Sequence, residues 1–198
     1  MYRNNLKRIF DFVSALMTFI LLSPFFLILC VLIKLDSKGP IFFKQRRIGK
    51  DKSEFLILKF RSMRTDAPKD QPTHLLQNPN AYITKLGSFL RKTSLDELPQ
   101  LLNIMAGHMS VVGPRPALYN QYDLISLRDV YRANDVRPGL TGWAQVNGRD
   151  ELPIDVKSKL DGEYIERMSF LFDLKCIVLT FKSVSTADGI VEGNQGKV

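Results

Sequence analysis

The stretch from Ile9 to Ile33, IFDFVSALMTFILLSPFFLILCVLI, decides what kind of protein this is. Asp11 is its one charge. As a straight helix it would reach about 37 Å at about 1.5 Å per residue, enough to cross a hydrocarbon core of about 30 Å. Two features weigh against a simple crossing. Ser23-Pro24 sits near the middle, where proline removes a backbone donor and crowds the preceding turn. Both flanks are also basic: Arg3, Lys7 and Arg8 before the run, and Lys34, Lys38, Lys44, Arg46, Arg47, Lys50 and Lys52 after it. Basic flanks stay on the cytoplasmic side, so a spanning helix would have to export one cluster. The charge placement therefore predicts a re-entrant helix-break-helix. One leg runs from Ile9 to Leu22, the chain breaks at Ser23-Pro24, and a second leg returns from Phe25 to Ile33. Each leg needs only about half the core, on the order of 10 residues. The Ser23 hydroxyl is placed to satisfy a carbonyl freed by Pro24. A spanning anchor and a signal peptide are the alternatives; the second lacks a small-x-small cleavage pattern before Lys34.

Working outward, residues 1–36 read as the membrane element and 37–198 as one compact cytoplasmic domain, helix-rich α+β. PIFFKQRRIG (40–49) and FLILKFRSM (55–63) predict two strands around a polar Gly49–Ser53 turn, a short β-hairpin. Residues 64–81, with Pro68, Pro72 and Pro79, predict a long loop. Helices are expected over Thr84–Arg91, from Ser94 or Asp96 to a stop at Gly107, and over Ala117–Ala133. Val111–Pro116 and Val136–Arg149 read as loops. Leu174, Ile177, Val178, Phe181 and Val184 predict a C-terminal helix whose apolar face is most simply core. Cys30 and Cys176 lie in apolar surroundings and indicate neither a disulfide framework nor a zinc site.

The net charge of +8 admits nucleic acid, an anionic membrane or an anionic small substrate as partner. Nucleic acid is disfavoured, because no zinc-finger spacing, aromatic RNA-binding signature or basic heptad helix is present. The chemistry-bearing residues lie elsewhere. Asp96 and Glu97 are adjacent acids at an expected helix start, where negative charge and phosphate are both favoured. A carboxylate there can hold Mg2+ together with phosphate oxygens, or attack phosphorus. The plainer reading is a capping box over Ser94-Leu95-Asp96-Glu97, in which Glu97 only satisfies a backbone donor. Arg91, Arg115, Arg137 and Arg149 each stand beside a Gly or Pro break or a helix boundary, positions from which a guanidinium can be aimed at phosphate through two parallel hydrogen bonds. Taken singly, each is as readily a solvated surface arginine.

These segments together resemble the bacterial sugar transferase family, the small monotopic phosphoglycosyl transferases. The resemblance runs through the apolar segment with Ser23-Pro24, Lys59-Phe60-Arg61-Ser62-Met63 and Ser94-Leu95-Asp96-Glu97-Leu98-Pro99-Gln100. It continues through Gly113-Pro114-Arg115-Pro116, Arg137-Pro138-Gly139-Leu140-Thr141-Gly142 and Gln145-Val146-Asn147-Gly148-Arg149. It implies Mg2+-dependent transfer of a sugar-1-phosphate from a UDP-sugar to undecaprenyl phosphate with release of UMP. The setting would be the cytoplasmic face of the bacterial plasma membrane, at the start of a surface glycan. By matching position, Asp96 is the nucleophile and a metal contact, and Glu97 its catalytic partner. Arg115 and Arg137 are phosphate contacts; Lys59, Arg91, Gln145, Asn147 and Arg149 line the pocket. A non-catalytic membrane-anchored basic adaptor, binding anionic lipid or nucleic acid, is the alternative.

Overall fold

A computed structural model describes residues 2–68, 78–148 and 152–186. The chain opens with a wide π-helical turn, Tyr2–Leu6, leading into helix α1, Lys7–Asp36. α1 runs unbroken through Pro24, one element where two legs were expected. The reason is local. A residue other than proline at position 24 would donate its amide to the Ile20 carbonyl, and the Ser23 hydroxyl donates to that same carbonyl at 2.8 Å. The orphaned acceptor is satisfied, and the helix continues.

Only one stripe of α1 is buried: Lys7, Asp11, Ala15, Phe26, Leu29 and Ile33. The other faces carry exposed Ile9, Phe10, Val13, Met17, Leu21 and Leu27. Both ends of the helix are tied down. At the start, Lys7 donates to Asp173 at 2.6 Å, while Asp11 accepts from the Ser110 hydroxyl at 2.7 Å and the Val111 amide at 3.0 Å. At the far end, the buried Arg61 donates to the carbonyls of Ile33, Ser37 and Lys38 and so caps the last turn. Phe26, Leu29 and Ile33 pack there with Phe60 and Leu90.

Strands β1 (Phe42–Ile48) and β2 (Glu54–Phe60) form the expected antiparallel hairpin, with Lys59 opposite Phe43. Helix α2, Lys85–Lys92, follows, its N-cap Thr84 accepting from the Gly87 amide at 3.0 Å. α3 is shorter than the sequence suggested. A 3-10 turn, Leu95–Glu97, precedes it, and the helix proper is Gln100–Ala106, stopped at Gly107 with φ 88°. Pro99 stands just before the first helical residue, where a missing amide costs nothing. Asn103 of α3 bonds the free edge of β2, giving to the Leu56 carbonyl and accepting from the Leu58 amide.

Two stretches read as loops contain β3 (Ser110–Val112) and β4 (Gly139–Thr141), a parallel pair. α4 is Tyr122–Val130, the short α5 is Trp143–Val146, and α6 is Ile154–Arg167. α7, Phe170–Thr186, corrects the sequence reading. Of the expected core face Ile177 does pack against the core, but Leu174, Val178 and Phe181 point outward, while Phe172, Asp173 and Cys176 are buried; the Val184 side chain lies outside the described residues.

Candidate active site

Ser94 sets the geometry of the acidic turn. Its φ of 56° is left-handed, and its side chain caps nothing, so no capping box forms. The Glu97 carboxylate faces two cations instead. Its Oε1 accepts from Lys59 Nζ at 2.6 Å and from Arg115 Nη2 at 3.2 Å. Burial alone would favour the neutral acid, but Lys59 and Arg115 outweigh it and hold Glu97 well below the ordinary carboxylate range.

Asp96 behaves oppositely one residue earlier. It is 7% exposed, and among the described residues its carboxylate accepts no hydrogen bond. Burial, reinforced by the Glu97 charge, pushes its pKa up to about 6 against the opposing pull of Lys59, Arg91 and Arg115. Two adjacent carboxylates are thus driven to different proton affinities, the pattern that assigns them different tasks. Lys59, Arg91, Asp96, Glu97 and Arg115 therefore form one cluster.

Different elements bring these groups together. Lys59 comes from β2 and Arg91 from the last turn of α2. Arg115 lies in the turn after β3, which is fastened to the turn around β4. The Gly113 amide donates to the Thr141 carbonyl at 2.8 Å, and the Gly139 amide to the Pro114 carbonyl at 2.9 Å. A Cβ on Gly139 would stand 2.1 Å from the Gly113 nitrogen, so only glycine allows this approach. The Arg115 carbonyl accepts from Arg128 Nη1 at 2.9 Å, and Arg128 is paired with Asp161 at 2.6 Å, both almost fully buried. Sequence reasoning missed Arg128 and Asp161. Nothing local marks them, since they lie 33 residues apart on α4 and α6.

The remaining expected site residues are dispersed. Gln145 donates to the Leu140 carbonyl at 3.0 Å, while its Oε1 is buried without a partner. That oxygen lies 3.1 Å from where a Cβ on Gly142 would stand, against the contact between Gly142 and Gly113, close to the Arg115 turn. Asn147 is exposed and bonds only locally, to the Trp143 carbonyl. Arg137 reaches the Gly107 carbonyl at 2.8 Å, at the opposite end of α3 from Asp96. Arg149 lies outside the described residues.

Could the acidic pair hold Mg2+? Among the described residues no cluster of three or more His, Cys, Asp or Glu side chains exists, so there is no closed protein cage. Mg2+ does not need one. It takes one or two carboxylates and completes its shell with substrate phosphate and water. Asp96, without a hydrogen-bond partner among the described residues, fits that role; Glu97 is occupied by Lys59 and Arg115.

Comparison with known proteins bears on this geometry. Residues 2–187 match the model of the family described as "Bacterial sugar transferase". The chain is 40% identical over 189 residues to the "Uncharacterized sugar transferase EpsL" of Bacillus subtilis, covering 96% of this chain and 92% of that one. It is 38% identical over 198 residues to the "Exopolysaccharide production protein ExoY" of Sinorhizobium fredii, covering 92% and 87% respectively. A third relative is the "UDP-glucose:undecaprenyl-phosphate glucose-1-phosphate transferase" of Escherichia coli, 40% identical over 182 residues. The match takes in 88% of this chain but only 39% of that longer protein.

Proposed function

Because this chain belongs to the bacterial sugar transferase family, we propose that it transfers a sugar-1-phosphate from a UDP-sugar to undecaprenyl phosphate through a phosphosugar carried on Asp96. The observation that carries this reading is the buried Asp96 carboxylate, which accepts no hydrogen bond among the described residues and is set among Lys59, Arg91 and Arg115. A carboxylate with a pKa of about 6 is ionised at neutral pH yet more basic, and so more nucleophilic, than an ordinary aspartate.

In the first half-reaction an Asp96 oxygen attacks the phosphorus that bears the sugar. The bond from that phosphorus to the bridging oxygen breaks, and UMP leaves with the electron pair. In the second, a phosphate oxygen of the polyprenyl carrier attacks the same phosphorus and expels Asp96. The carrier is left with a diphosphate-linked sugar. Lys59, Arg91 and Arg115 neutralise charge on the phosphoryl oxygens, which is most of what phosphoryl transfer asks of a protein. Glu97, ionised, holds Lys59 and Arg115 in place until substrate oxygens compete for them. Mg2+ bound by Asp96 and the donor diphosphate would supply further neutralisation at the leaving group. Glucose is the first sugar to test, since relatives are named for UDP-glucose, and an exopolysaccharide is the first pathway.

The same reading puts the domain on the cytoplasmic face with α1 dipping into the bilayer. Support comes from the two ends of α1, both tied to one domain, and from the basic residues that flank its apolar run on both sides.

The test omits the acceptor. UDP-glucose and Mg2+ alone should release up to one UMP per site, and intact-protein mass spectrometry should find a phosphosugar adduct. Asp96→Asn should abolish both adduct and turnover, and Glu97→Gln should impair turnover severely. Full UMP release by Asp96→Asn would defeat the covalent route. An absence of UMP release by the unaltered chain with every UDP-sugar would favour a binding adaptor.

A further inference from the structure

The transfer reaction leaves a second group of charges unused, at the far end of α3. A cavity of about 320 Å³ opens there, with Arg3, Lys7, Arg8, Lys50, Arg137 and Asp11 in its wall. The charges do not cancel. Lys7 is neutralised by Asp173 at 2.6 Å and Asp11 at 3.6 Å. Asp135, also in the wall, is paired with Arg132 at 2.9 Å. Arg8 and Arg137, by contrast, form no ion pair with a carboxylate among the described residues. Arg8 gives Nη1 to the Ile104 carbonyl at 2.6 Å and Nη2 to the Met105 carbonyl at 2.9 Å. Arg137 gives only Nε, to Gly107.

Capping the C-terminus of α3 accounts for one of these arginines. It does not account for two guanidiniums close enough to feel each other's charge, with Asp11 the acid that opposes it at Arg8. Nor does it use Arg137 Nη1 and Nη2, which meet no acceptor among the described residues. Those two nitrogens form the edge that grips a phosphate bidentately. Exposed Arg3 adds a third positive charge on the same wall. Position narrows the ligand further. The outward apolar side chains of α1 begin at Ile9 and Phe10, directly after Arg8, whose Cζ lies 5.7 Å from the centre of the Phe12 ring. The cavity thus adjoins the end of the apolar surface, where an amphiphile would place its charged group beside its hydrocarbon.

We propose that this cavity binds a phosphate group, at a site separate from Asp96 and Glu97 and independent of the transfer chemistry. Two sources offer that chemistry: the headgroup of an anionic lipid, or a phosphate free in water.

The experiment is a calorimetric titration of the full chain in neutral detergent with inorganic phosphate at low salt. Two binding steps are expected. Arg115→Ala should remove one. Arg137→Gln should weaken the other about tenfold or more. Arg3→Gln, which disturbs no hydrogen bond among the described residues, should weaken that same step several-fold and guards against misfolding of the first variant. Repeating the titration in nanodiscs identifies the source. Loss of this step in phosphatidylcholine–phosphatidylglycerol discs, but not in phosphatidylcholine alone, assigns the site to lipid headgroups; persistence in both assigns it to soluble phosphate. A single step that Arg115→Ala abolishes, and that neither Arg137→Gln nor Arg3→Gln weakens, overturns the proposal.

Discussion

At the scale of residues, the two acids make opposite contributions to stability. Asp96 is raised from 3.8 to about 6, so the folded chain keeps a proton there that the unfolded chain has released; stability falls as pH rises through that window. Glu97 is lowered from 4.5, and its contribution is present above that value and lost on acidification. The metal-free protein should therefore take up a proton at Asp96 near pH 6, visible as the infrared carbonyl band of a protonated acid. In Glu97→Gln the midpoint should move down, because a negative neighbour is gone and Lys59 and Arg115 are released toward Asp96. An unchanged midpoint would mean the carboxylates do not interact. Much of this cluster was legible in the chain, since Asp96, Glu97, Lys59 and Arg115 each stand in short, unusual segments. The resemblance paired Arg137 with Arg115 as phosphate contacts, and both stand beside Gly or Pro breaks. Such neighbours report that a guanidinium is held, not which way it points: the Arg137 backbone abuts Gly113 beside the Arg115 turn, but its guanidinium reaches Gly107 at the far end of α3.

At the scale of elements, α1 and α7 teach the same lesson about apolar stripes. A stripe reports an apolar neighbour without naming it. The side of α7 bearing Leu174, Val178 and Phe181 reads as core on spacing alone, yet it faces outward, and the ring of Phe170 at its start packs, tilted, against Phe10 of α1 with centroids 5.1 Å apart. The outward faces of the two helices meet there. Pro24 was misread for a different reason: its effect depends on whether the acceptor it strands finds another donor, and Ser23 supplies one. The dipping arrangement makes a definite prediction. Cysteines placed at Arg3 and Lys52 should both react with an impermeant reagent from the cytoplasmic side of sealed vesicles. Pro24→Ala, which restores the missing amide to the helix, should shift a fraction of molecules to opposite-sided labelling. Opposite-sided labelling of the unaltered chain would rule the arrangement out.

Across the whole molecule, the cluster around Asp96 and Glu97 depends on contacts that no local pattern announces. β3 and β4 are three-residue strands, too short for any alternation to be read, and they pair across the chain. The buried Arg128–Asp161 pair then holds the Arg115 carbonyl from the other side. Arg128→Ala leaves Asp161 buried without its partner and should cost about 3–5 kcal/mol in denaturant unfolding. Turnover should fall as well, because the turn carrying Arg115 loses an anchor. A stability within about 0.5 kcal/mol of the unaltered chain would mean that Asp161 finds another donor or simply protonates.

The bond between Ser110 and Asp11 spans 99 residues. A ribosome adding about 5–20 residues per second finishes the first partner about 5–20 s before the second. During that interval the nascent apolar helix carries Lys7 and Asp11 with no counterpart but each other, since Asp173 is made later still. On the proposed dipping arrangement, the completed domain would be what seats the helix, and firm attachment to the bilayer would come as a late event in the life of the polypeptide. A chain ending at Gly107 should wash from membranes in alkaline carbonate, whereas the full chain should stay.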